Sequence, residues 1–382
     1  MYLDHNATTP LDPRVLEKMR PYFTEQYGNP SSQDHIFGAN ALDAVEHARE
    51  QLAATIRAKP EEIIFTSGAT EANNIAVLGL ASARRDKGKH IVTAATEHKA
   101  VLGPCYYLRD RGYDVTNLTV DKFGMVHPEQ LMKAIRKDTI LVSIMAANNE
   151  IGTVNPLKEL AQVCDDKGVC FHTDAAQSFG HVQLDLSVLK VGMLSMSGHK
   201  IYGPKGTGAL FVRGREIASG VNPLVLGGGQ ERGLRSGTLN VPGIVGLGEA
   251  ARLSKKEMDS QQNRSLTFAG HFLERIGRNL GGVHLNGHPR ERLSHNLSLT
   301  LDGISNKALI QAVRGEVAIS SSSACTAASV EPSHVLTAIG LTREQAFQTI
   351  RVGFGRFTTD VEAGFAADAI IEAGRRIRRL NG

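Results

Sequence analysis

The chain has 382 residues, with 43 Lys plus Arg against 39 Asp plus Glu for a formal charge of +4. So small an excess over such a length does not select a polyanion, and no direct contact with nucleic acid is expected. The length exceeds what one hydrophobic core usually supports and predicts two domains.

The opening, MYLDHNATTP, places Asp4 and His5 where an export signal would carry cationic and then apolar residues. The longest strongly apolar stretches, such as TILVSIMAA at 139–147, fall short of the roughly 18 residues of a spanning helix. No membrane association is expected, and the cytoplasm is the expected compartment. The cysteines at 105, 164, 170 and 325 have no CxxC spacing, which fits a reducing compartment and offers no metal knuckle.

From residue 63 to 213 a β-rich apolar run, a Gly, Asn or Asp turn and a helical stretch recur. The strand candidates are IIFTS, HIVTAAT, DVTNLTV, TILVSIMA, VCFHTD, MLSMS and GALFVR. Seven such runs predict an α/β fold with a mostly parallel sheet, whose chemistry gathers at the carboxyl ends of its strands.

The turn TSGATEANN at 66–74 can hold a phosphate on backbone N–H groups and Thr70, or can be an ordinary helix cap. His98, in TEHKAV, follows the second strand as a capping or a reacting residue. VCFHTDAAQ ends its strand on Asp174, a carboxylate that needs a partner such as a protonated ring nitrogen, or that caps a helix. SMSGHKIYGPKGTGALFV then brings Ser197, His199 and Lys200 to the end of the sixth candidate. A lysine there suits a Schiff base with a carbonyl cofactor when burial and nearby cations lower its pKa, and is otherwise a surface residue. GPKGTG lacks the order of a nucleotide loop, and GLGEAA at 246–251 follows a turn instead of a strand, so neither reads as a nucleotide fingerprint.

A loop-rich passage at 222–243 leads into a long charged helical pattern, expected to bridge the domains. The rest mixes strands and helices as a smaller α+β domain would. Within it AISSSSACTAASVEP, at 318–332, sets Cys325 among small residues. The closing RRIRRL reads either as the solvated end of a last helix or as a dock for an acidic partner.

LDHNATTP, TSGATEANN, EHKAVL, NNEIGTVNP, HTDAAQ, SGHKIYGPKGTGAL, GGGQERGLRSGTLN, SSSACTAAS and GRFTT, in that order, resemble the cysteine desulfurases, pyridoxal-phosphate enzymes of the class-V aminotransferase superfamily. The resemblance covers residues 2 to about 360 and implies a fold-type I enzyme. The large cofactor-binding domain would span 15–255, and the small one 1–14 and 256–382.

By the same resemblance Lys200 would link to pyridoxal 5'-phosphate, Asp174 would pair with its ring nitrogen and Gln177 would contact its hydroxyl. Ala69, Thr70, Ser197 and His199 would hold the phosphate, joined by Thr238 across a homodimer interface. Asn149 would touch cofactor and substrate, Arg351 would clamp the substrate carboxylate, and His98 would stack on the ring and move protons. Cys325, on an arm moving between about 320 and 332, would take sulfur from L-cysteine as a persulfide, leaving L-alanine.

The sulfur would pass to an acceptor protein such as an iron-sulfur scaffold, or into tRNA thiolation or DNA phosphorothioation. A selenocysteine lyase, an aminotransferase or a non-catalytic sulfur-transfer scaffold are the alternatives. Two positions depart from the family pattern: Ser322 stands where a glycine is usual, and Gly353 where a serine is common.

Overall fold

Seven short runs of Ile, Val, Leu, Phe, Met and Thr pair into one sheet: β1 (Ile63–Thr66), β2 (His90–Ala94), β3 (Asp114–Leu118), β4 (Thr139–Ser143), β5 (Cys170–Asp174), β6 (Met193–Ser197) and β7 (Gly208–Val212). They are the seven expected from sequence. The structure is a computed structural model that describes residues 1–218, 220–321 and 331–381, apart from the side chains at 215, 216 and 381.

The strand order is β1-β7-β6-β5-β4-β2-β3. β7 runs antiparallel to both neighbours and the other four pairings are parallel. Every residue of β2, β4, β5, β6 and β7 is buried, because helices cover both faces of a sheet built this way. One face packs on Phe65, Phe171 and Phe211, the other on Ile75, Val101 and Leu141.

A second, antiparallel sheet has the order β10-β11-β9-β8: β8 (Val283–Asn286), β9 (Asn296–Leu301), β10 (Ser320–Ser321) and β11 (Thr349–Gly353). Its core holds Phe268, Phe272, Leu299 and Phe354. The expected bridging helix runs from Val241 to Leu280, with Ile244 and Leu247 in the first core and Phe272 and Ile276 in the second. GLGEAA lies inside it, where Gly246 meets Met19 and Gly248 meets Ala48 too closely for a Cβ. Those glycines serve helix packing, as the rejection of a nucleotide motif anticipated.

In RRIRRL, Arg375 donates to the Asn279 carbonyl, while Arg378 donates to those of Leu280, Gly281 and Asp302. Two of its arginines thus satisfy carbonyls left open at the end of the long helix. No helix among the described residues is long and apolar enough to cross a membrane.

Glu231 anchors the 222–240 loop. It accepts from Arg49 Nη2 at 2.8 Å, Arg49 Nη1 at 2.9 Å and the Phe65 N–H at 2.6 Å. Both side chains are buried, and Glu231 and Arg232 take positive φ of 48° and 57°. Without Glu231 the buried Arg49 keeps only the half-exposed Glu46 as a counter-charge, so Glu231→Ala is expected to lower stability by about 3 kcal/mol, read as a lower denaturation midpoint. Arg49→Met in the same chain is expected to recover part of that loss.

His172 on β5 sits between the hydroxyls of Ser143 at 2.8 Å and Ser195 at 3.0 Å. Burial pushes its pKa down to about 3, and those of His5 and His181 to about 4. Because the folded values lie below the unfolded one, their stabilisation is complete above pH 6.5 and is lost as pH falls toward 4. At pH 5 each loses about 2 kcal/mol. The melting temperature is expected to fall roughly 5–10 °C between pH 7.5 and pH 5, with a shallower fall in His172→Gln; an unchanged slope there would exclude His172 as a contributor.

Candidate active site

The carboxyl ends of β4, β5 and β6, the turn after β2 and the turn after β1 open on one cavity of about 670 Å³. Ala69, Thr70, His98, Asn149, Asp174, Gln177, Ser197, His199, Lys200 and Arg351 all line it. Ten positions spread over 283 residues of sequence thus meet at one place. Thr238 lies on the exposed loop before the long helix and is not among the lining residues. Cys325 lies outside the described residues.

Asp174 ends β5 almost fully buried. One oxygen accepts from Asn73 Nδ2 at 2.7 Å and the other from the Ala176 N–H at 2.9 Å. The carboxylate thus holds the turn that follows, where no helix begins, and it lines the cavity. Gln177, three residues on, is tied by two bonds to Asn6.

Lys200 closes the short turn after β6, and its Nζ donates to the carbonyls of Asn6 at 2.6 Å and Ala7 at 2.8 Å. The His181 ring contacts the Lys200 carbonyl at 3.1 Å, steadying the turn from behind. His199 Nδ1 lies 3.1 Å from Thr8 Oγ1, and burial, then the Lys200 charge, push its pKa down to about 4.

His98 caps the Lys99–Arg109 helix, its Nδ1 accepting from the Ala100 N–H at 3.1 Å. Burial holds its pKa below the usual histidine value, partly opposed by Asp174. The neutral ring therefore keeps its proton on Nε2. Of the two sequence readings, capping holds, and the same side chain also lines the cavity.

The turn after β1 begins with Gly68 at φ 150°, where a Cβ would meet nothing within 4 Å. Opposite, a Cβ on Gly208 would lie 2.5 Å from the Gly68 Cα. In GPKGTGAL, Gly203 and Gly208 thus serve close chain crossing and Gly206 a positive φ of 75°, while Lys205 and Gly206 line the cavity. Peptide N–H groups at the start of the Ala69–Asn74 helix face the same space as Ser197 and His199.

Arg351 on β11 is 2% exposed and reaches the cavity, whereas Arg356, five residues on, does not line it. Arg356 is buried, 2.7 Å from Asp12 Oδ2 and over the Tyr202 ring. The long helix shields it, which a local window of sequence does not show.

Asn6, Ala7, Thr8, Asn73, Glu97, Glu150 and Ser333 also line the cavity, and no role was assigned to them from sequence. Several lie inside quoted motifs, LDHNATTP and TSGATEANN among them, so a signal was present without a geometry. Glu97 is fully buried and its pKa is well above the usual range. Burial lifts that of Glu150 to about 7 against the 2.5 Å bond from Ser333 Oγ. His5 packs its ring against Gly355, leaving no room there for a Cβ.

At the start of the arm expected between about 320 and 332 the chain is paired, and just beyond its expected end the next helix begins. Ser320 and Ser321 pair with Arg351 and Ile350, and Ser333 caps the His334–Ala338 helix. Backbone pairing and a cap hold these positions, while residues 322–330, including Ser322, lie outside the described residues. At Gly353 a Cβ would come 2.4 Å from Asn6 Oδ1, so the glycine matches the N-terminal segment lying against β11.

The family model for class-V aminotransferases matches residues 1–363. Cysteine desulfurase IscS of Rickettsia africae (strain ESF-5) is 47% identical over 381 residues, covering 100% of this chain and 92% of that protein. Among solved structures, a NifS-like protein is 36% identical with a TM-score of 0.91, over 97% of this chain and 98% of that one. SspA in complex with cysteine is 39% identical with a TM-score of 0.82, over 94% and 99% of the two chains.

Proposed function

Because the chain belongs to the class-V aminotransferase family, and within it to the cysteine desulfurases, we propose that the residues around its cavity divide the work of moving sulfur from L-cysteine to Cys325. The enzyme depends on pyridoxal phosphate, which when bound supplies a carbonyl that links to amines and a ring that draws electrons from the substrate Cα. The observation that carries the assignment is the meeting of Lys200, Asp174 and the Gly68–Thr70 turn on one cavity.

Those residues fit the cofactor chemically. Asp174 brings a buried carboxylate for a protonated ring nitrogen, Lys200 an amine, and Gln177 an amide for the ring hydroxyl. Ala69, Thr70, Ser197 and His199 offer N–H and hydroxyl donors for a phosphate. Asn73 Oδ1 and Arg351 Nε are buried without a partner among the described residues, as groups awaiting a ligand would be.

In this reading Lys200 Nζ would take the proton from the substrate Cα, and neutral His98, lining the same cavity, would handle a proton at Nε2. Arg351 and Asn149 hold the amino acid. The Cys325 thiolate attacks the substrate sulfur; an S–S bond forms, the C–S bond breaks with its electron pair left on carbon, and protonation there completes L-alanine.

The two-domain division at 15–255 belongs to the same proposal, supported by the separate cores on either side of the long helix. So do the homodimer, supported by the outward position of Thr238, and the cytoplasmic setting. The acceptor is proposed to be an iron-sulfur scaffold, as the likeness to IscS suggests. Loading the enzyme with 35S-labelled L-cysteine in cell extract is expected to label such a scaffold. Label appearing in thiolated tRNA while the scaffold stays blank would overturn that choice.

A further inference from the structure

The opening LDHNATTP reaches the cavity, yet nothing in the proposed reaction uses Asp4. Its carboxylate Oδ1 accepts from Arg351 Nη2 at 2.8 Å and from Ser320 Oγ at 2.9 Å. Its backbone bridges Gly353, two residues after Arg351, and the Tyr2 hydroxyl donates to its carbonyl at 3.1 Å. Asp4 is therefore fixed before it touches the arginine.

A guanidinium is a planar fork of five N–H donors, useful only if the right edge faces the ligand. On Arg351, Nη1 donates to the Asn149 carbonyl at 2.9 Å and Nη2 to Asp4. Among the described residues Nε has no partner, although Arg351 is 2% exposed and lines the cavity. With both far nitrogens pinned, the plane cannot rotate, and the Nε–H is left to meet a carboxylate oxygen. A buried cationic N–H without an acceptor is unfavourable until a ligand satisfies it.

We propose that Asp4 is the positioning residue of the substrate-carboxylate site: it holds Arg351, against the Asn149 carbonyl, in the one orientation that offers the Nε edge to the α-carboxylate of L-cysteine. This rests on Arg351 being the clamp. Through Ser320 the same carboxylate ties the clamp to β10. Gly353 belongs to the device, since it lets the N-terminal segment lie flat against β11.

The test compares holoenzyme binding of L-alanine with that of ethylamine, which has the amine but no carboxylate, read from the cofactor's absorbance. Asp4→Ala is expected to weaken L-alanine about 10-fold and leave ethylamine within about twofold, since only the oriented fork is lost. The KM for L-cysteine should rise with kcat nearly unchanged. Asp4→Asn keeps an acceptor for Nη2 and should recover most of the affinity. Asp4→Ala added to Arg351→Ala should cost nothing further.

Parent-like L-alanine binding in Asp4→Ala, beside weak binding in Arg351→Ala, would overturn the role of Asp4 and leave the clamp standing. Equal weakening of both ligands would overturn it too, as plain structural damage. Parent-like binding in Arg351→Ala would remove the clamp and this inference together.

Discussion

Lys200→Ala is expected to lower alanine formation from L-cysteine by roughly 10⁴-fold or more, because the amine lost is the one proposed both to attach the cofactor and to act as a base. Nζ is held by the carbonyls of Asn6 and Ala7 at 2.6 and 2.8 Å. Such acceptors orient an amine without adding a charge. His98, the other titratable group proposed for proton transfer, is occupied at Nδ1 by its capping bond and does not replace it. Alanine release in single-turnover assays checks the rate, and the cofactor's absorbance after gel filtration checks the attachment. Turnover within tenfold of the parent would reject Lys200 as the reacting amine.

Cys325→Ala is expected to abolish the enzyme-bound persulfide and to reduce alanine release from L-cysteine by about 10³-fold or more, since removing a nucleophile removes the step it performs. The other thiols offer no substitute. Cys105 and Cys170 are buried, and burial lifts their pKa values to about 12 and about 11; that of Cys164 is also raised by burial. A thiol at such values yields almost no thiolate near neutrality. Of the four cysteines in the sequence, that leaves Cys325. Alkylation followed by mass measurement locates the persulfide. Unchanged alanine release in Cys325→Ala would contradict sulfur capture by this residue, whereas a selenocysteine lyase or an aminotransferase needs no mobile thiol.

Much of this was legible in the chain. The seven strands of the large sheet each carry four or five consecutive buried residues, apart from β3 at the edge. Such runs bounded by turn residues are the pattern that sequence reading detects best. β8 and β10 had no such signal: the first is half exposed and the second is two serines. They exist because β9 and β11 offer an edge, and that edge is a property of the folded sheet.

The sequence by itself determined which chemistry is present. Lys200 after β6, Asp174 closing β5 and a glycine turn before Thr70 are local facts, because strand ends and turns are specified by neighbouring residues. The long-range order of nine motifs supplied the family. Only the tertiary structure decided how distant pieces complete one another. Asp4 stands 347 positions from Arg351, Asn6 stands 171 from Gln177, and Arg356 finds Asp12 344 positions away. No periodicity or propensity links residues so far apart. Their pairing follows from the N-terminal segment crossing the smaller sheet and ending in the cavity, a path fixed by backbone bonds from Leu3 to Ala318 and Gly353 and by a glycine that leaves room for it.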